Sequence, residues 1–271
     1  MLRFDCCFTT DTGSRNANED NFYLNGNYKR AYADSSYEKY DLMYNRGLFA
    51  VCDGMGGAEF GARAAYIAVE NLKNYQEKNF NDFASEYIYN SNKFVYNMTY
   101  ENNGASAGST LALMYIENGK ATYYNIGNSR IYLFRKGKLI QLSEDHTQTA
   151  QMVKMGTLPA AMAATHNGNH VLTRYLGINP TGLVVQAYIG EINDIQHDDI
   201  ILMCSDGLTN MLTDNEIQTV LKSSKELMPA KHYTDILKGV VLERGAKDNF
   251  TIGIIKVMGK KKKFMQKLFG K

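Results

Sequence analysis

Between residues 109 and 142 the chain is cut three times by turn signals: Asn118-Gly119, Gly127-Asn128 and Lys136-Gly137. Asn-Gly tolerates positive φ at both central positions of a two-residue hairpin. Residues 109–116, 120–126, 130–135 and 138–142 are therefore expected as successive antiparallel strands. A meander of this kind excludes the strand–helix–strand series of a parallel doubly wound sheet. Residues 1–10, 20–24, 47–52, 183–189, 200–204 and 250–257 add further apolar or alternating strand candidates.

Helices fall in two blocks. Ala62, Ala65, Tyr66, Val69 and Leu72 recur at spacings of three and four, the signature of one buried helical stripe. Phe83, Tyr87, Phe94 and Met98 mark a second helix across residues 82–100. A short helix is expected at 150–155. Another is expected at 213–222, where Thr213 and Glu216 have capping-box spacing, and a last one at 230–243. Helices in blocks and strands in antiparallel runs place the chain in the α+β class.

The longest apolar runs, residues 47–52 and 200–204, are strand-sized, so no transmembrane helix is expected. Met1-Leu2-Arg3-Phe4-Asp5 does not open a signal peptide, and a cytoplasmic protein is expected. The formal net charge of +2 conceals an asymmetry, because residues 260–271 hold six lysines and no acid, leaving −4 on the other 259 residues. A nucleic-acid enzyme carries its positive charge on the folded surface, so no nucleic-acid partner is expected. The tail, with Phe264, Met265, Leu268 and Phe269 among its lysines, reads as a solvated terminus in preference to a weak contact with anionic lipid, worth about 1 kcal/mol per lysine. Cys6, Cys7, Cys52 and Cys204 form no Cys-x-x-Cys pair and read as reduced structural thiols.

The acids carry the chemistry. Asp53 closes the run 48–52 and precedes Gly54. Asp206 follows 200–204 and precedes Gly207. Asp248 stands just before the strand from Phe250, and Glu19-Asp20 stands before Asn21-Phe22-Tyr23. Each Asp-Gly alone is more often a turn signal, and Asp11, Asp34 and Asp41 read as ordinary loop acids. Four acidic positions at strand ends form a joint pattern. Carboxylates gathered at a sheet mouth repel, so they take up protons or bind cations. With no His or Cys set beside them, hard oxygen donors favour Mg²⁺ or Mn²⁺ over Zn²⁺. Asp53-Gly54-Met55-Gly56-Gly57 is not a dinucleotide fingerprint, because the third glycine from Gly54 would fall on Glu59.

Six segments in order, Gly13-Ser14-Arg15-Asn16-Ala17-Asn18-Glu19-Asp20, Phe49 to Gly57, Gly108-Ser109-Thr110, Gly127-Asn128-Ser129-Arg130, Ser205-Asp206-Gly207-Leu208 and Lys247-Asp248-Asn249, resemble the metal-dependent serine/threonine protein phosphatases of the PPM, or type-2C, family. Met55 after Asp-Gly resembles its bacterial branch. The resemblance runs over nearly the whole chain. It implies a four-layer αββα sandwich, two antiparallel sheets flanked by helix pairs, as one domain over residues 1–257 with a flap at 147–172 and a basic tail at 258–271. It implies two Mn²⁺ or Mg²⁺ ions, with Asp53 bridging them, the Gly54 carbonyl on one, Asp206 and Asp248 on one, and Glu19 and Asp20 anchoring the other. Arg15 matches the arginine that grips the substrate phosphate. A water between two such ions would attack phosphorus directly.

Two positions depart from the family. Asn128 stands where an aspartate helps to hold a third, weaker ion, and a neutral amide is the poorer ligand for a hard cation. Met55 replaces the histidine proposed as general acid in animal enzymes, and a thioether donates no proton. His146 is expected to be structural, and His166 and His170 to be exposed flap histidines. The resemblance implies phosphorylated proteins as substrates, a cognate serine/threonine kinase, and a monomer. The competing reading, a non-catalytic phosphoprotein-binding relative, would be expected to have lost a metal carboxylate, yet Asp20, Asp53, Asp206 and Asp248 are all present.

Overall fold

The computed structural model describes residues 2–31, 35–101, 107–182, 184–223 and 228–259. Asp34 and the basic tail from Lys260 lie outside the described residues.

Two of the expected turns are two-residue hairpins with both central residues at positive φ, Asn118 (52°) with Gly119 (82°) and Lys136 (51°) with Gly137 (81°). They set the registers Glu117↔Lys120 and Arg135↔Lys138. The third turn, 127–129, is different. It carries the chain from one sheet to another.

Among the described residues, twelve strands make up two antiparallel sheets. In chain order they are β1 (Arg3–Asp11), β2 (Asp20–Leu24), β3 (Ser36–Tyr44), β4 (Arg46–Met55), β5 (Gly108–Ser109), β6 (Leu111–Glu117), β7 (Lys120–Ile126), β8 (Arg130–Arg135), β9 (Lys138–Gln141), β10 (Tyr188–Ile192), β11 (Ile200–Cys204) and β12 (Phe250–Met258). The first sheet runs β3-β1-β12-β11-β8-β9. The second runs β10-β7-β6-β4-β2, with β5 added to the end of β4. The helices are α1 (Ala58–Asn71), α2 (Phe80–Glu101), α3 (Gln148–Lys154), α4 (Asp206–Thr209), α5 (Asp214–Ser223) and α6 (Ala230–Glu243).

Three cores stack to give the four layers. Phe4, Phe8, Phe22, Phe49, Val51, Met203 and Ile255 interdigitate between the sheets. Ala65, Val69, Leu72, Phe80 and Tyr87 of α1, α2 and their connection cover the outer face of the second sheet. Leu208, Ile217, Leu237 and Val241 cover the first. The alternation within β4 shows why the strand reads as one unbroken apolar run: Phe49 and Val51 point into the sandwich, whereas Leu48, Ala50 and Cys52 point under the helices. A strand buried on both faces has no polar side to expose. The capping box at Thr213 is formed, with Glu216 Oε2 accepting the Thr213 N–H at 2.8 Å.

β3 was not expected from sequence. Its charges Glu38, Lys39 and Asp41 mask the apolar pair Tyr37 and Met43 that meets the inter-sheet core, and charge on a sheet edge is how proteins discourage edge pairing. Asp41 is therefore a strand residue and not a loop acid. Asp11 ends β1 and pairs with Lys238 at 3.0 Å. The strand expected at 183–189 lies further on, at Tyr188–Ile192. Its register on β7 fixes this, while Val185 joins the α1–α2 core without strand pairing. All four cysteines are buried and free. Burial pushes the Cys7 thiol up to about 11 and Cys204 up to about 12, and raises Cys6 and Cys52 as well.

Phe49 is fully buried and stacks on Phe8 at 6.0 Å across the sandwich. Phe49→Ala should cost about 3–5 kcal/mol, read from the midpoint of a urea unfolding curve. A loss below 1 kcal/mol would show that the inter-sheet core does not hold the layers together.

Candidate metal centre

The two sheets bring the predicted acids to one end of the sandwich. Asp20 opens β2 and is the direct cross-strand partner of Asp53 near the end of β4. In the first sheet β11 and β12 are antiparallel neighbours, so Asp206, just after β11, and Asp248, just before β12, emerge at the same edge. Gly207 allows this approach, because a Cβ there would lie 1.9 Å from the Asn249 carbonyl oxygen. The sheets are then tied through Asp20 itself. Its Oδ2 accepts from Ser205 Oγ at 2.6 Å and lies 2.8 Å from Thr251 Oγ1.

Glu19 reaches the centre from the other side. Gly61 of α1 makes room for it, since a Cβ at that position would fall 1.8 Å from Glu19 Oε2. Gly54 lies against the same loop, its N–H donating to the Glu19 carbonyl at 3.2 Å. Asn249 fixes the loop, accepting the Glu19 N–H at 2.8 Å and donating to the Thr12 and Ala17 carbonyls, each at 2.8 Å.

These acids are close enough to perturb one another. Burial, then Asp20, Asp206, Asp248 and Glu19, raise Asp53 well above the ordinary carboxylate range. Burial is the first cause for Asp20 too, pushed up to about 7 despite the hydrogen bonds from Ser205 and Thr251. Asp206 is raised by burial and by Asp248. Glu19 is raised by burial, against the opposing pull of Arg15. Carboxylates raised by burial and by one another are an electrostatic demand for cations.

The donor set fits hard divalent ions: it is all oxygen, and it supplies more negative charge than its protein partners neutralise. Among the described residues, however, no three His, Cys, Asp or Glu side chains close as a cage on one point. The acids' oxygens are engaged by protein donors. Asp20 is held by Ser205 and Thr251. Asp206 Oδ2 accepts from Asn128 Nδ2 at 3.0 Å, and Asp248 Oδ2 from Arg15 Nη2 at 3.0 Å. An ion here would be held by few side chains, with backbone carbonyl and water completing its shell, as a magnesium-like ion prefers.

Arg15 is accordingly not a free surface arginine. Besides Asp248 it donates Nε to the Lys247 carbonyl at 3.2 Å. His146 is buried, and its Nδ1 accepts the Gly127 N–H at 3.1 Å. Burial, then Arg174, lower its pKa to about 4, so it is the neutral structural histidine expected. His166 Nδ1 lies 2.9 Å from Thr149 Oγ1 and accepts the Gly168 N–H, tying α3 to the segment after it. His170 is exposed, yet its Nδ1 comes within 3.9 Å of Asp206 Oδ2. Sequence reading assigned no role to Ser205, Thr251, Asn249 or Thr110. Their partners lie up to 241 residues away, and no local spacing reports such contacts. Thr110, Ser205 and Asn249 do sit inside the ordered segments, which is the one signal that could have singled them out.

Two antiparallel sheets, covered by helices and joined at a knot of buried acids, define the class of the metal-dependent phosphatase sandwich. The serine/threonine phosphatase of Streptococcus agalactiae superposes with a TM-score of 0.79 at 26% identity, over 93% of this chain and 99% of that one. PstP of Mycobacterium tuberculosis shares the fold, with a TM-score of 0.76 at 22% identity over 96% and 100% of the two chains. Among sequences, protein phosphatase PhpP of Streptococcus pneumoniae is 27% identical over 253 residues, covering 91% of this chain and 94% of its own. The serine/threonine phosphatase stp of Listeria welshimeri is 28% identical over 258 residues, covering 92% and 94%. A profile of the protein phosphatase 2C family matches residues 39–237, and the chain belongs to that family.

The raised carboxylates set a pH dependence. Between the ordinary carboxylate range and about 7, Asp20 holds more proton in the folded cation-free protein than in the unfolded chain, so the acids' contribution to stability falls as pH rises. Held in EDTA, the protein should melt at least about 2 °C lower at pH 7.5 than at pH 5.5. Saturating Mn²⁺ should reverse that order, because binding to the folded state adds stability. Equal melting temperatures with and without Mn²⁺ would show that the acids bind no cation.

Proposed function

We propose that this chain is a metal-dependent protein phosphatase that hydrolyses phosphoserine and phosphothreonine in proteins. The observation that carries the reading is the convergence of Asp20, Asp53, Asp206 and Asp248 from both sheets, each perturbing Asp53 through space. Two Mn²⁺ or Mg²⁺ ions are proposed; a PstP catalytic domain of the same fold is described with two manganese ions. When bound, such ions supply an activated water and neutralise phosphate charge.

The chain's own residues do the rest. Asp53 would bridge the ions, with the Gly54 carbonyl beside it. Asp206 and Asp248 would hold one ion from the first sheet, and Glu19 and Asp20 would anchor the other, partly through water. Arg15 presents a planar fork suited to two phosphate oxygens, at the lip of the acid cluster where it now meets Asp248. Residues 1–257 are proposed as the single catalytic domain, with residues 147–172 as a flap beside Asp206. His170 marks that proximity. A serine/threonine kinase must supply such substrates. We take the protein to act as a monomer in the cytoplasm. No described helix is long and apolar enough to cross a membrane.

With Mn²⁺ the protein should hydrolyse para-nitrophenyl phosphate and a phosphothreonine peptide, and EDTA should abolish both activities. Asp53→Asn and Asp206→Asn should each lower turnover by about 100-fold or more, with unchanged far-ultraviolet circular dichroism. Near-normal turnover in either variant would overturn the site. Tight phosphopeptide binding without hydrolysis in the unmodified protein would instead favour the non-catalytic relative.

Arg15→Ala should raise KM for a phosphopeptide and leave Mn²⁺ affinity within about threefold of normal, because a charge-assisted contact to phosphate is lost while every acid is kept. An unchanged KM would remove Arg15 from the phosphate site.

A further inference from the structure

The metal centre is split between two sheets, and something must fix its width. Asp53 belongs to the second sheet and Asp206 follows a strand of the first. The turn 127–129 is one of the places where the chain crosses between them, joining β7 to β8. Its three residues are engaged at both ends of the gap.

On the Asp53 side, the Asp53 N–H donates to Thr110 Oγ1 at 2.9 Å, and the Thr110 N–H donates back to the Asp53 carbonyl at 2.8 Å. Thr110 Oγ1 in turn lies 2.6 Å from Ser129 Oγ. Both Thr110 and Ser129 are buried. On the Asp206 side, Asn128 Nδ2 donates to Asp206 Oδ2 at 3.0 Å. The turn is braced from behind. Asn125 Nδ2 donates to the Ser129 carbonyl at 3.0 Å, and Gly127 and His146 exchange two hydrogen bonds, at 3.0 and 3.1 Å. Gly127 holds φ at 94°, and a Cβ there would meet Thr110 Cγ2 at 2.6 Å. Only glycine lets the turn lie this close to Thr110.

We infer that Asn128 is a positioning residue, the end of a strap Asp53–Thr110–Ser129–Asn128–Asp206 that sets the spacing of two carboxylates on different sheets. The inference rests on the metal-centre reading above and deepens it. An amide serves here as a donor: it occupies Oδ2 and orients the Asp206 carboxylate, which the Asn210 side chain also hydrogen-bonds. An ionised aspartate at the same position could not donate and would face Asp206 with like charge. The departure at position 128 thus exchanges a ligand type for a hydrogen-bond donor. It fits the general behaviour of groups that orient metal ligands without touching the metal.

The test is calorimetric titration of Mn²⁺ into the cation-free full chain for the unmodified protein, Asn128→Ala, Ser129→Ala, Asn128→Asp and Asp206→Asn. Removing the donor in Asn128→Ala should weaken Mn²⁺ binding by about 10-fold. Ser129→Ala cuts the other half of the strap and should weaken it in the same direction while keeping Asn128. Phosphopeptide KM should stay near normal in both at saturating Mn²⁺. Thermal melts identify any variant that has merely unfolded, and Ser129→Ala, which deletes a single buried oxygen, is the safeguard. Unchanged Mn²⁺ affinity in folded Asn128→Ala and Ser129→Ala, with a clear loss in Asp206→Asn, overturns the strap and keeps the metal centre. Unchanged affinity in Asp206→Asn as well overturns the metal centre itself. An added Mn²⁺ equivalent in Asn128→Asp with faster turnover also overturns the strap, since position 128 would then be a ligand site.

Discussion

Like charges held together out of water are the constraint around which this molecule is organised. Left alone, Asp20, Asp53, Asp206 and Asp248 would separate. They do not, because each is fixed at the end of a strand, and the strands belong to sheets locked face to face by Phe4, Phe8, Phe22 and Phe49. The apolar sandwich supplies the free energy that holds the acids near one another. In the proposed reading, adding ions would remove the repulsion, stabilise the fold and create the reactive centre in one event.

The hydrogen bonds around the acids are as selective as the acids. Ser205 and Thr251 hold Asp20 from the opposite sheet. Asn249 pins three backbone groups of the loop that carries Arg15 and Glu19. Gly61 and Gly207 are small because carboxylate and carbonyl oxygens occupy the space a methyl would need. Pre-organisation of this kind keeps ligand oxygens from relaxing away from each other when they ionise.

Much of this was legible in the sequence, for physical reasons that differ by element. Asn118-Gly119 and Lys136-Gly137 announce hairpins because only a few residues tolerate positive φ. The acids announce themselves because each borders an apolar run, Asp53 and Asp206 at its end and Asp20 and Asp248 at its start. β3 was hidden because an edge strand carries charge in place of clean alternation. The displaced β10 was hidden because Val184 and Val185 look like strand but pair with nothing in the ladder; its register comes from β7. The outer partners of the site were invisible for the same reason: Ser205 meets Asp20 across 185 residues, and such contacts exist only once the sheets have stacked. Position 128 was read as a weakened ligand, and only the coordinates show what its amide touches.

The thiols have a consequence of their own. Cys52 adjoins Asp53 in sequence and Cys204 stands two residues before Asp206, yet both are sealed inside the layers and held as neutral SH groups. Peroxide and alkylating reagents act on accessible thiolates. A catalyst built on carboxylates, with its sulfur locked away, would go on working in an oxidising burst that silences enzymes whose nucleophile is a cysteine.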